Sequence, residues 1–170
     1  MRTQQREIST RPAQEADIEK LVEVLGPGVT PEQVRERWKE HTEGTRRLLL
    51  AEIDGEPVGT ISIGETRHYR TESLRFLALD VGSDYRRKGV ATALIAYAES
   101  EAIRLLQFKS IHCEVGTTNE DAIRLYESLG YKHINKTVQN QWWVFPNGGD
   151  SRMEEETSWV MTKALEIPDA

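Results

Sequence analysis

Leu77-Ala78-Leu79-Asp80-Val81-Gly82-Ser83-Asp84-Tyr85-Arg86-Arg87-Lys88-Gly89-Val90-Ala91-Thr92-Ala93-Leu94 is the stretch that decides how the rest of the chain is read. Leu74 to Val81 is largely apolar and reads as a buried strand. It runs through Gly82-Ser83-Asp84-Tyr85 into a glycine-bearing turn, and a long helix follows from about Val90 to Leu106. Val90, Leu94, Ala98, Ala102 and Leu105 recur along one face of that helix. The first turn of a helix has unpaired backbone N–H groups and the positive end of the helix dipole, so anions of the phosphate kind bind there. Gly89 and Ala91 keep bulk away from that backbone, and Arg86, Arg87 and Lys88 add positive charge on the approach. Taken alone, the turn is equally compatible with an ordinary helix start carrying a solvated basic patch. It has neither the G-x-x-x-x-G-K-[S/T] spacing of an NTP-binding loop nor the G-x-G-x-x-G dinucleotide fingerprint, which speaks against an NTPase or a dehydrogenase.

Outward from this stretch the chain alternates strand and helix. Downstream, Ser110 to Val115 reads as a strand. Asn119 to Leu129 reads as a compact helix, with Asn119 as N-cap, Glu120 and Asp121 in its first turn and Gly130 past its end. Two more strands are expected over Lys132 to Phe145 and Thr157 to Thr162, joined by a turn at Pro146-Asn147-Gly148-Gly149-Asp150. Upstream, Glu7-Ile8-Ser9 is a short strand, and Ile18, Leu21, Val22 and Leu25 mark a helix stopped at Gly26. Thr30-Pro31-Glu32-Gln33 is a helix start with a capping box and proline at the first helical position, and that helix runs to Gly44. Leu48 to Ile53 and Pro57 to Ile63 flank Asp54-Gly55, a favoured hairpin turn. Strand, helix, strand in the middle implies a parallel crossover, and the hairpins imply antiparallel edges. The class is α+β with a mixed sheet.

Composition bounds the alternatives. The 170 residues suit one domain, and 38% hydrophobic with 29% charged residues is neither a disordered nor a membrane composition. The longest apolar runs, such as Leu48-Leu49-Leu50-Ala51, fall far short of a bilayer span, and the polar start Met1 to Arg6 leads into no secretory signal. A net charge of −6 makes nucleic acid a poor partner. Cys113 is the single cysteine, so no internal disulfide forms, in keeping with a reducing cytoplasm.

Arg86-x-x-Gly89-x-Ala91 resembles the Q/R-x-x-G-x-G/A signature of the GNAT superfamily of N-acetyltransferases. A second block, Glu114-Val115-Gly116-Thr117-Thr118-Asn119-Glu120-Asp121-Ala122-Ile123-Arg124-Leu125-Tyr126-Glu127-Ser128-Leu129-Gly130-Tyr131, resembles that family's E-V-x-x-x-N-x-x-A-I-x-L-Y-x-x-x-G-F pattern. The blocks stand in the expected order, 28 residues apart from Ala91 to Asn119. The resemblance implies a three-layer α/β/α fold: a mostly antiparallel sheet with a splayed parallel pair, a motif core over 77–131 and a C-terminal hairpin at about 132–165, in one domain spanning 1–170. It implies acetyl-CoA as co-substrate and a bulge or splay in the strand around Leu79 to Val81 that frees backbone donors. The pyrophosphate would lie on Arg86, Arg87, Lys88, Gly89, Val90, Ala91 and Thr92. Asn119 would bond the pantetheine arm, and Tyr126 would protonate the departing thiolate, a role open to a tyrosine with a pKa near ~10. No metal and no covalent enzyme intermediate is implied.

The residues themselves leave other readings open. Asn119 is a favoured cap in any protein, and Tyr126 an aromatic on an apolar helix face. Seven residues is nearly two turns, so both lie on similar faces roughly 10 Å apart. An alkylammonium must lose a proton before it attacks a thioester, and Glu114, His112 and Asp80 are candidate acceptors; alternation puts His112 and Glu114 on one face of their strand. Glu114 matches the acceptor of some bacterial N-terminal acetyltransferases, and reads equally well as a solvent-facing charge at a strand end. Other relatives use a glutamate earlier on the fourth strand, where this chain has Arg75. Cys113 reads as packing. Trp142, Trp143 and Phe145 with Glu154-Glu155-Glu156 form either an aromatic and acidic wall for a cationic amine or, the favoured reading, an ordinary hairpin with a solvated acidic tip. The expected activity is direct acetyl transfer to a primary amine, either a small molecule or a protein N-terminus or lysine. Small molecules are preferred, because no platform for a peptide is evident. The competing readings are a non-catalytic acyl-CoA sensor and an NTP-binding regulator. A homodimer through the C-terminal strands is compatible with the resemblance and is not required by it.

Overall fold

Local signals place most elements. In the computed structural model, which describes residues 7–64, 73–104, 108–144 and 151–166, the Thr30 capping box is complete. The Gln33 N–H donates to Thr30 Oγ1 at 3.2 Å and the Thr30 N–H to Gln33 Oε1 at 2.9 Å. Asp54 and Gly55 both take positive φ, 53° and 79°, the pairing of a tight hairpin whose twist suits its strands. Asn119 Oδ1 accepts the Ala122 N–H at 3.3 Å and starts its helix. The elements are β1 (Ile8–Pro12), α1 (Ile18–Leu25), α2 (Pro31–Glu43), β2 (Arg46–Ile53), β3 (Glu56–Gly64), β4 (Ser73–Val81), α3 (Val90–Arg104), β5 (Ser110–Gly116), α4 (Glu120–Ser128), β6 (Lys132–Val144) and β7 (Arg152–Ala164).

These strands form one seven-stranded sheet in the order β1-β2-β3-β4-β5-β7-β6, antiparallel throughout except for β4 beside β5. Helices cover both faces, which explains why β2 is apolar without interruption from Leu48 to Ala51. Leu48 and Leu50 pack with Leu21, Leu25 and Val34 of α1 and α2, while Leu49 and Ala51 join the second core with Leu94, Ile95 and Ala98 of α3. The expected three-layer α+β architecture with its parallel pair is present.

One expected boundary moves, and one expected strand is interrupted. The first acidic residues of the C-terminal hairpin do not form its tip: β7 begins at Arg152, and Glu154, Glu155 and Glu156 stand opposite Trp142, Gln141 and Asn140 in the ladder. That part of β7 extends past β5, whose pairing with β7 spans only Ser158 to Ala164. With no core to face, it carries no alternation for a sequence reading to detect. Near its start, β6 is interrupted by a register shift between His133 and Thr137, with Asn135 at φ 55°. The expected positions Leu105, Leu106, Phe145 and the turn at 146–150 lie outside the described residues.

Arg11 and Asp17 tie β1 to the turn before α1. The guanidinium donates to both Asp17 oxygens at 2.8 Å, and the Gln14 N–H adds a third bond at 2.8 Å. The Arg11 hydrogen bond, with that backbone bond, holds the Asp17 carboxyl below the usual carboxylate range despite its burial. A depressed native value gives stability that is full above the unfolded value near ~4 and lost as pH falls through the native one. Asp17→Asn should therefore lower neutral-pH stability by about 1–3 kcal/mol and flatten the fall in stability below pH ~4, as read by urea melts across pH.

Candidate active site

Among the described residues β4 and β5 share three register pairs, Ser73 with Ser110, Leu74 with Ile111, and Arg75 with His112. Beyond them β4 follows β3 and β5 follows β7, so the two strands part into a V. From Phe76 onward, the β4 edge that faces β5 therefore has no strand partner among the described residues. A bulge deepens the split. Thr60 pairs with Asp80 but Ser62 with Leu77, so β4 spends one more residue than β3, and Ala78 takes φ 52°. This is the irregularity expected in the strand around Leu79 to Val81.

A cleft of about 1010 Å³ occupies the V. Leu77 to Asp80 of β4 line one wall, Cys113 to Gly116 of β5 the other, with Asn119 and Tyr126 of α4 beside them. Across it stand the α2 side chains Glu32, Glu36, Arg37 and Glu40, and the hairpin residues Asn140, Gln141, Trp143 and Glu156.

Tyr126 is 8% exposed and held edge-on by Phe76 at 5.7 Å and beside Tyr131 at 6.0 Å. Burial, with the nearby Cys113 and Asp80, pushes its ionisation well above that of an ordinary tyrosine, so it stays a neutral phenol. Its hydroxyl has no hydrogen-bond partner among the described residues. Asn119 caps α4 and also lines the cleft. Cys113 is a buried thiol raised far out of the thiolate range by desolvation, a packing residue as expected.

The candidate proton acceptors separate. Glu114 does not face solvent: its side chain is 2% exposed, and Arg75 Nη2 lies 2.9 Å from its Oε2. The arginine that replaces a glutamate on β4 thus reaches across the V to the glutamate of β5. His112 is fully buried with Nδ1 2.7 Å from Ser73 Oγ, behind the cleft rather than in it. Asp80 lines the cleft and pairs with Arg37 Nη1 at 2.9 Å.

Val81 ends β4, and a short helical turn at Ser83–Tyr85 leads to the basic loop. Arg87 and Gly89 take φ 60° and 85°, and the Ala93 N–H is the first to bond back, to Gly89 O at 3.0 Å. The N–H groups of Val90, Ala91 and Thr92 precede that bond and are left at the helix opening. The Val90 side chain is buried in the core and pins the helix start, while Arg86, Arg87 and Lys88 are exposed. Arg86 Nε reaches the Val81 carbonyl at 3.3 Å, and Lys88 Nζ sits 5.7 Å above the Tyr85 ring. This loop follows directly from the β4 wall, and Val81 and Arg86 to Thr92 do not themselves line the cleft.

Sequence reasoning missed the α2 contribution. Glu32, Glu36 and Glu40 recur every fourth residue and so share one helix face; that stripe was the available signal. Glu40 pairs with Arg46 at 2.8 Å. Burial lowers the Arg46 ionisation, opposed by Glu40 and reinforced by Arg37 and Arg75.

Comparison with known proteins agrees with this geometry. The pattern of the acetyltransferase (GNAT) family matches residues 14–131. An N-alpha-acetyltransferase of Sulfurisphaera tokodaii is 25% identical over 138 residues, 76% of this chain and 83% of that one. An acetyltransferase of Pectobacterium atrosepticum is 32% identical over 113 residues, 66% of this chain and 75% of that one. The crystal structure of a ribosomal-protein-alanine N-acetyltransferase from Brucella melitensis superposes with a TM-score of 0.69 at 22% identity, covering 92% of this chain and 99% of that one. The chain belongs to the GNAT family and is an acyltransferase. Members of this family generally use acetyl-CoA. Among the described residues no helix is long and apolar enough to cross a membrane.

Proposed function

We propose that this chain transfers the acetyl group of acetyl-CoA directly to a primary amine. The observation that carries the proposal is the open V between β4 and β5, with the neutral phenol of Tyr126 beside it and the basic helix opening directly downstream of its β4 wall. The N–H groups of Val90 to Thr92 and the charges of Arg86 to Lys88 suit a pyrophosphate. The Asn119 amide suits the pantetheine arm, and the unpaired edge of β4 near Leu79 to Val81 suits a developing oxyanion. Tyr126 gives its proton to the departing thiolate. Glu114, aimed by Arg75, takes the proton that the amine must lose. Direct attack needs no enzyme nucleophile, in keeping with the buried, protonated Cys113.

The names of two similar proteins put peptide N-termini beside small amines as acceptors to try. Free-thiol release from acetyl-CoA over such a panel tests the proposal, and the account expects one amide formed per thiol released. Tight acetyl-CoA binding without turnover on any amine would instead make the chain a sensor.

A further inference from the structure

Glu114 and Asp80 both line the cleft, and each is already held by an arginine, Arg75 and Arg37. Glu156, on the hairpin wall, also lines the cleft, and it forms no ion pair among the described residues. Its carboxylate is nonetheless in a defined place. It lies over Gly116, so close that a Cβ built there would meet Glu156 Oε1 at 2.5 Å and Cδ at 2.8 Å. The Ser158 hydroxyl reaches Oε1 at 3.4 Å and itself accepts from Asn140 Nδ2 at 3.2 Å. Glu156 is exposed, so an ammonium entering the cleft can reach its carboxylate and pair with it. Gly116, over which it lies, is two residues past Glu114 on β5, the residue assigned above to take the proton of the amine.

We propose that Glu156 is the carboxylate that binds the positive charge of the acceptor amine, with Gly116 kept bare so that the carboxylate can lie there. This rests on the acetyl-transfer reading for its role but not for its detection, because amine binding is measurable without turnover. An ammonium enters paired with Glu156 Oε1 and must release that pair, along with one proton, before its nitrogen attacks. Glu156 therefore sets affinity for the amine, and the chemical step depends on other groups.

Calorimetric titration of the CoA-loaded protein with n-butylamine, 1,4-diaminobutane and an alanyl tripeptide amide tests this. Glu156→Gln should weaken binding of the best of these about ten- to a hundredfold and leave acetyl-CoA affinity within about twofold. Glu156→Asp should restore part of the loss. Gly116→Ala should also weaken the amine, because the new methyl displaces the flexible carboxylate rather than the backbone, and should have no further effect in the Glu156→Ala background. Three results would each overturn the assignment: no probe amine binding at all, equal loss from Gly116→Ala with or without Glu156, or a loss on Glu114→Gln with none on Glu156→Gln. Absence of turnover with binding and the Glu156 effects intact would instead fail only the acetyl-transfer reading.

Discussion

Tyr126→Phe should lower kcat by about a hundred- to a thousandfold and leave the KM for acetyl-CoA nearly unchanged. The substitution keeps the ring that Phe76 and Tyr131 grip and removes only a hydroxyl that has no partner among the described residues, so the fold should not suffer. What is lost is the proton for the departing thiolate, and general acids of this kind contribute about 10²–10⁴ in rate. The sign of the pH effect follows from burial. A donor works while it holds its proton, and the Tyr126 ionisation is raised, so the alkaline fall in kcat from this group lies above the ordinary tyrosine value near ~10. Rates of thiol release from pH 6 to 10 check both points. An unchanged kcat would remove Tyr126 from the chemistry and return it to the core.

Gly89→Asp should raise the KM for acetyl-CoA at least ~10-fold, and Gly89→Asn far less. Gly89 sits at φ 85°, a conformation that asparagine and aspartate tolerate better than other side chains. The two variants thus share shape and backbone strain and differ in one charge. Without ligand, a carboxylate at the opening of α3 suits the helix dipole, so the aspartate variant should melt no lower than the asparagine one. With a pyrophosphate on the N–H groups of Val90 to Thr92, the same carboxylate repels it. A charge a few ångströms away at an effective dielectric near ~20 supplies more than the ~1.4 kcal/mol that tenfold requires. Equal effects of the two substitutions would move the pyrophosphate away from this turn.

What the sequence made legible was local. Thr30 and Gln33, Asp54 and Gly55, and Asn119 with Gly130 act within a few residues of themselves, and each sits where its chemistry placed it. The motif residues Arg86, Gly89, Asn119 and Tyr126 belong to the same class, since two short blocks carry them. The features that shape the acceptor side are not local. Arg75 and Glu114 are 39 residues apart and meet only because β4 and β5 run parallel. The bulge at Ala78 is defined by the β3 ladder, not by any residue of β4 alone. Glu156 looked like part of a solvated tip because β7 begins earlier than its apolar residues do, and only the pairing of Ser158 with Gly116 in the β5–β7 ladder brings it to β5.

The most direct test of the account is a crystal structure of the protein with CoA bound, read for one distance. The account predicts the pantetheine arm between β4 and β5 and its sulfur within hydrogen-bond reach of the Tyr126 hydroxyl, roughly 3–4 Å. A sulfur far from Tyr126, or a CoA bound anywhere outside the V, would contradict it.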